Sequence, residues 1–188
     1  MLFRSAFYHL IRLSSHDAYT YQHSVGVGLN AIALGKRLRM GGDEELADLG
    51  ISGLLHDIGK TKVDPKIINK PGPLDKTEWD SMRQHSTWGY ELLKDNRDLS
   101  QRAKLGVLHH HEDSNGGGYP HGLTDNQIST FAKIITIADI FNALTTDRTY
   151  SKAKSPFEAF KLIQSAMMHK VDKSLFAELV MIYGGKLE

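Results

Sequence analysis

From Gln127 to about Thr146 the chain carries Ile128, Phe131, Ile134, Ile135, Ile137, Ala138, Phe141 and Leu144. The density and spacing of these apolar residues predict a helix. A helix so apolar must be wrapped by other elements, so this one reads as the central buried helix of a domain. Asp139 stands in the middle of it, between Ile137-Ala138 and Ile140-Phe141. Burying a carboxylate is costly unless it is paired or bound to a cation. Either the helix keeps a narrow polar face at Asp139, or a positive partner meets it inside the fold.

The rest of the chain supplies helices to do the wrapping. From about Asp17 to Met40, Val25, Leu29, Ile32, Ala33 and Leu38 recur at three- and four-residue steps, and Gly41-Gly42 ends the run. Asp43 is the expected N-cap of the next helix, which carries Leu46, Leu49, Ile51, Leu54 and Leu55 to His56-Asp57 and stops at Gly59. Residues 62–73 read as irregular, broken by Pro65, Pro71, Gly72 and Pro73. Helices are expected over residues 77–85, 87–94 and 99–110, followed by the glycine-rich loop Asn115-Gly116-Gly117-Gly118-Tyr119-Pro120. Ser155 and Pro156 open a further helix as N-cap and first helical residue. A last helix runs from about Lys173 to Tyr183, and residues 1–15 are compatible with one more. No period-2 strand of convincing length occurs. The expectation is an all-α bundle of about seven helices. It forms a single domain over residues 1–188, with its motifs within 17–150 and C-terminal helices within 155–183.

A second unusual stretch is Leu54-Leu55-His56-Asp57-Ile58-Gly59-Lys60. Adjacent imidazole and carboxylate suit a first-row transition metal, and a nearby lysine suits a phosphate oxygen. Alone, a solvated helix end explains them equally well. The chain has ten histidines, three of them consecutive, so further ligands are available. His23 falls early in the first long helix, His85 in a later one, and His110 and His111 where a helix gives way to the glycine loop. That loop is itself readable as a plain flexible turn. With no cysteine, disulfides, zinc-thiolate sites and thiol nucleophiles are excluded. A net charge of +1 gives no global field toward polymeric nucleic acid or anionic membrane. No apolar run approaches the roughly 18–20 residues that span a bilayer, and the start lacks a signal-peptide pattern. The cytoplasm is therefore the expected location. The closing Leu187-Glu188 fits a chain excised from a longer protein.

The ordered set His23, His56-Asp57 and Asp139 resembles the metal-binding pattern of the HD superfamily of phosphohydrolases. His85-x-x-x-Gly89, His110-His111-Glu112, Gly118-Tyr119-Pro120, Gly122-Leu123 and Ala138-Asp139-x-Phe141-Asn142-Ala143-Leu144-Thr145 resemble its HD-GYP subfamily. The resemblance runs from His23 to Tyr150. It implies a helical core and a centre of two or three metal ions, commonly iron or manganese. It also implies hydrolysis of cyclic di-GMP to the linear dinucleotide or GMP. Carried across by position, His23, His56, Asp57 and Asp139 would hold one metal. His85, His110 and His111 would hold the second, with Asp57 bridging. Imidazole-rich ligation is compatible with Fe, Mn, Ni or Zn. Two ions roughly 3.5–4 Å apart can activate a shared water and neutralise phosphoryl charge.

Lys60 and Asp57 are the implied catalytic residues, with Lys60 on a nonbridging phosphate oxygen. A solvated helix-end lysine is the alternative reading of Lys60. Tyr119 would line the guanine side of the pocket, Arg148 would contact phosphate, and Glu112 would support a ligand imidazole. The partners implied are a cyclic dinucleotide and a sensor, receiver or diguanylate cyclase partner. His9, His16, His109, His121 and His169 fall outside the pattern and read as surface or packing residues. Trp79 and Trp88 read as core.

The chain departs from the subfamily pattern in places. Tyr19 stands where three-metal members carry glutamate, and Asp17 is on another helical face, so two metals are expected. Asn115 and Asn142 replace two usual aspartates, and Arg148-Thr149-Tyr150-Ser151 departs from an R-P-Y-R run, leaving Lys152 as the nearest substitute base. Three functions follow. The first is a cyclic di-GMP phosphodiesterase. The second is the same chemistry on another phosphoester or cyclic dinucleotide, such as cyclic GMP-AMP. The third is a metal-retaining, inactive domain that binds a ligand or signalling partner.

Overall fold

A computed structural model describes residues 18–147 and 152–184, with side chains from Tyr21 onward. The expectations for residues 1–15, His9, His16, Asp17 and Arg148-Thr149-Tyr150-Ser151 lie outside the described residues, as does the side chain of Tyr19. The chain runs through α1 (Ala18–Arg37), α2 (Asp43–Leu55), a 3-10 turn (Ile58–Lys62), α3 (Pro65–Ile68), α4 (Lys76–Arg83), α5 (His85–Leu93) and α6 (Gln101–His109). After a short 3-10 turn (Asp125–Gln127) come α7 (Thr130–Thr145), α8 (Pro156–Leu162) with a π-type continuation (Ile163–Met167), and α9 (Lys173–Gly184). The extended pairing among the described residues is an isolated bridge between Asn115 and Thr124, so the all-α expectation agrees with the structure.

Helix α7 is the buried element its composition predicts. Phe131, Ile134, Ile135, Ile137, Ala138 and Phe141 are at most 2% exposed. They pack with Val27, Ala31 and Leu34 of α1, Leu49 of α2, Ala103 of α6, and Ala159, Ile163, Leu175 and Leu179 from the C-terminal elements. Each large side chain buried this way contributes about 1.5–3 kcal/mol. A smaller cluster, Leu55, Ile58, Leu93, Leu99 and Val107, ties the turn after α2 to α5 and α6. No helix among the described residues is long and apolar enough to cross a membrane.

Local chemistry moves several expected boundaries. Asp43 is not the cap of α2: Gly42 holds that position, and Asp43, Glu44 and Glu45 fill the first turn, where they face the positive end of the helix dipole. Helix α7 starts later than expected because Thr124 and Gln127 close a capping box on a separate turn, and Ser129 then caps the helix proper. Residues 62–73, expected to be irregular, include the single helical turn α3, capped by Asp64 with Pro65 in its first turn. Trp79, expected in the core, is 48% exposed on α4.

One glycine brings two halves of the fold together. A Cβ at Gly59 would collide with the carbonyl oxygen of His85 and the amide of Gly89. Only a bare α-carbon lets the 3-10 turn lie against the start of α5. That approach sets Asp57 opposite His85. Gly59→Ala is expected to cost about 1–3 kcal/mol by overpacking, read as a lowered midpoint in urea unfolding. An unchanged midpoint would show that α5 can shift at no cost.

Candidate metal centre

The sequence-predicted ligands lie far apart along the chain and converge in space. α1 supplies His23, the end of α2 supplies His56 and Asp57, α5 begins with His85, α6 ends beside His110 and His111, and α7 presents Asp139. They form two groups whose donor atoms lie within 4.8 Å of one another: Asp57, His85, His110 and His111, and His23, His56 and Asp139.

The backbone aims three of the rings. His56 Nδ1 donates to the Gly53 carbonyl, His85 Nδ1 to Met82 and His110 Nδ1 to Val107, each at 2.7 Å and each three residues back. A carbonyl only accepts, so the proton sits on Nδ1 and Nε2 presents its lone pair. His23 is aimed by a side chain: its Nδ1 is 2.9 Å from Asn142 Oδ1. Sequence comparison alone marked Asn142 as a departure; its position three residues after Asp139 was the signal that it belongs to the site.

The Nε2 atoms then face acceptors and one another. His23 Nε2 is 3.0 Å from Asp139 Oδ1, His56 Nε2 is 3.2 Å from Asp57 Oδ2, and His85 Nε2 is 3.3 Å from Asp57 Oδ1. His85 and His110 bring their Nε2 atoms within 3.3 Å. At His85 and His110, neutral rings with the proton on Nδ1, Nε2 has nothing to donate across these gaps. His56 Nε2 and Asp57 Oδ1 are buried without a hydrogen-bond partner. A cation satisfies such an arrangement, and the donor set of imidazole nitrogens and carboxylate oxygens suits a divalent first-row metal.

The electrostatics agree. Burial pulls His85 down to about 4 and His111 to about 3, and holds His110 well below the usual histidine range, so these rings are neutral and able to ligate near pH 7. Burial also opposes charge on His56, but the Asp57 and Asp139 carboxylates outweigh it and raise its affinity for a proton. The same negative potential attracts a metal cation. Burial alone would raise Asp57, yet Lys60, His56 and His85 hold it well below the carboxylate range. Asp139 is likewise lowered against burial, chiefly by its bond to His23.

Lys60 Nζ donates to Asp57 Oδ2 at 2.6 Å, which ties it to the centre instead of leaving it in bulk solvent. Of the histidine triplet, His109 turns to His121, with Nε2 3.1 Å from Nδ1, while His110 and His111 join the ligand group. Among the described residues no hydrogen bond joins Glu112 to a ligand imidazole. Its two oxygens accept from the backbone N–H groups of His121 and Leu123, at 2.7 and 2.8 Å, which gives these loop amides partners. Asn115 Oδ1 accepts from Gly117 N at 2.9 Å, a turn that asparagine makes as well as aspartate. The Tyr119 ring lies against His111, with centroids 4.7 Å apart. Beside these residues opens a cavity of about 380 Å³ that also reaches Trp79, Arg83, Asp113 and Lys170. Arg148 lies outside the described residues.

Asn142→Ala removes the acceptor that orients His23. Losing such a supporting partner typically costs 10–100-fold in metal affinity, so chelator competition is expected to show at least a roughly tenfold weaker ion. Wild-type affinity would mean His23 is held by its packing alone.

An HD domain family model matches residues 9–175. The chain belongs to the HD domain family. Membership implies divalent-metal binding, which the clustered side chains fit. This HD domain is 39% identical over 175 residues to a cyclic di-GMP phosphodiesterase of Pseudomonas aeruginosa, covering 93% of this chain and 42% of that protein. It is 34% identical over 167 residues to 3'3'-cGAMP-specific phosphodiesterase 3 of Vibrio cholerae, covering 89% of this chain and 36% of that protein. The chain thus spans about two-fifths of the length of these curated relatives. The fold is shared with an HDG"Y"P protein from Bdellovibrio bacteriovorus, at a TM-score of 0.71 and 21% identity, over 88% of this chain and 53% of that one. The HD-GYP affiliation read from the histidine and GYP motifs agrees with these relatives.

Proposed function

We propose that this HD domain is a metal-dependent phosphodiesterase that hydrolyses cyclic di-GMP, to the linear dinucleotide or GMP, at a binuclear centre. The observation that carries the reading is the position of Asp57. Its Oδ1 faces His85 and its Oδ2 faces His56, so one carboxylate touches both ligand groups. His23, His56, Asp57 and Asp139 would hold one ion, and Asp57, His85, His110 and His111 the other, with Fe or Mn ahead of Ni or Zn. When bound, such ions supply Lewis acidity that activates water near neutral pH and offsets charge on phosphoryl oxygens.

The protein's own groups do the rest. The buried rings of His85, His110 and His111 stay neutral and leave no competing protons there. Lys60, beside Asp57, offers an ammonium to a nonbridging phosphate oxygen and stabilises the charge that develops there. The adjoining cavity gives the nucleotide a place next to the reacting phosphate, with Tyr119 in its wall. Arg148 is retained as a phosphate contact from the family pattern. Asn115 and Asn142 keep the hydrogen bonds their positions need, which supports catalysis over an inactive domain. The location expected is the cytoplasm, with a sensor, receiver or diguanylate cyclase as the expected protein partner. The relative named for 3'3'-cGAMP supports a second reading, the same chemistry on that substrate.

The test is incubation of metal-loaded protein with cyclic di-GMP and 3'3'-cGAMP, followed by chromatography of the products. Cyclic di-GMP is expected to turn over, and chelation to stop it. No turnover with iron, manganese or nickel under reducing conditions overturns the activity. A higher kcat/KM on 3'3'-cGAMP selects the second reading.

A further inference from the structure

The cavity beside the ligand histidines has a wall that metal chemistry does not use. Trp79 projects there as a half-exposed aromatic side chain, and Arg83 sets its guanidinium 4.6 Å above the Tyr119 ring. Deeper in, the Asp113 side chain is only 14% exposed. Its ion-pair partner, Lys170 Nζ, lies 3.9 Å from Oδ2, longer than a hydrogen bond, and no hydrogen bond to this carboxylate occurs among the described residues. The backbone beside it is tightly packed: a Cβ at Gly118 would strike the Asp113 amide and the His111 carbonyl. A largely enclosed carboxylate with spare acceptor capacity, an ammonium beside it and a flat aromatic nearby form a recognisable combination.

We propose that Asp113 and Lys170 read the Watson–Crick edge of a guanine held in this cavity. The proposal rests on the cyclic dinucleotide reading above. Guanine presents an acceptor, O6, next to two donors, N1–H and N2–H. The two Asp113 oxygens accept from the two donors, and Lys170 donates to O6. Trp79 offers a face to the base, since stacking on an aromatic suits any base while edge contacts choose among them. Adenine supplies one donor at this edge and turns the N1 lone pair toward a carboxylate, leaving Asp113 partly unmatched. Sites built on buried hydrogen bonds reject ligands that leave them unpaired. Asp113 and Lys170 therefore determine specificity.

Calorimetric titration of the metal-loaded chain with GMP and with AMP tests this independently of hydrolysis. GMP is expected to bind at least roughly tenfold tighter than AMP. Asp113→Asn, whose amide keeps one acceptor oxygen and sets its NH2 against the other guanine donor, is expected to remove that difference without changing metal content. Trp79→Ala is expected to weaken both nucleotides, and Trp79→Phe to restore them. Equal affinities for GMP and AMP, or a preference that survives Asp113→Asn, overturn the proposal. If the preference holds and depends on Asp113 while no cyclic dinucleotide is cut, the base site stands and the activity reading fails.

Discussion

Replacing Asp57 with alanine is expected to empty both metal positions. Its two oxygens face the two ligand groups, at 3.2 Å from His56 Nε2 and 3.3 Å from His85 Nε2. The change removes the shared ligand and the main negative charge that offsets a cation there. It leaves His56, His85 and His110 crowded with no anion among them on that side. Asp139 remains for the His23 group, but the carboxylate shared between the groups is gone. Elemental analysis of the purified variant is expected to read background metal, with turnover lost entirely. Retention of one ion per chain would make Asp57 a ligand of a single position and remove the bridge.

Replacing Lys60 with alanine is expected to separate metal binding from chemistry. Lys60 donates to Asp57 but supplies no lone pair to a cation, so metal content is expected to hold. Loss of a single positioned donor at a developing oxyanion typically costs about 10²–10³ in kcat, or roughly 2.7–4 kcal/mol. The fall is expected mainly in kcat, with KM changing less, because the contact strengthens as charge develops. If metal binding collapses in Lys60→Ala, the ammonium is needed to build the centre and its catalytic role lapses.

The parts of this molecule that were legible in the sequence are those written in local chemistry. Helix α7 could be read from its apolar residues, and Asp139 stood out because a carboxylate has no place in such a helix without a partner. The ligand set was legible as an ordered pattern, although nothing local says that His23 and Asp139 meet. Side-chain competition for backbone groups was less legible. Glu112 was expected on an imidazole, but the amides of His121 and Leu123 claim both its oxygens. Asn142 read as a lost charge, whereas its position beside His23 makes the amide oxygen sufficient. Trp79 read as core because large aromatics usually are, whereas it stands half-exposed in the wall of the cavity. Asp113 carried no signal, since its ion-pair partner Lys170 is brought near from beyond α8.

The proposed bridged two-metal centre is tested most directly by metal analysis of the wild-type chain purified without oxygen. Two transition-metal ions per chain are expected, lost together on chelation. A single ion per chain, or none after reconstitution with iron or manganese, would contradict it.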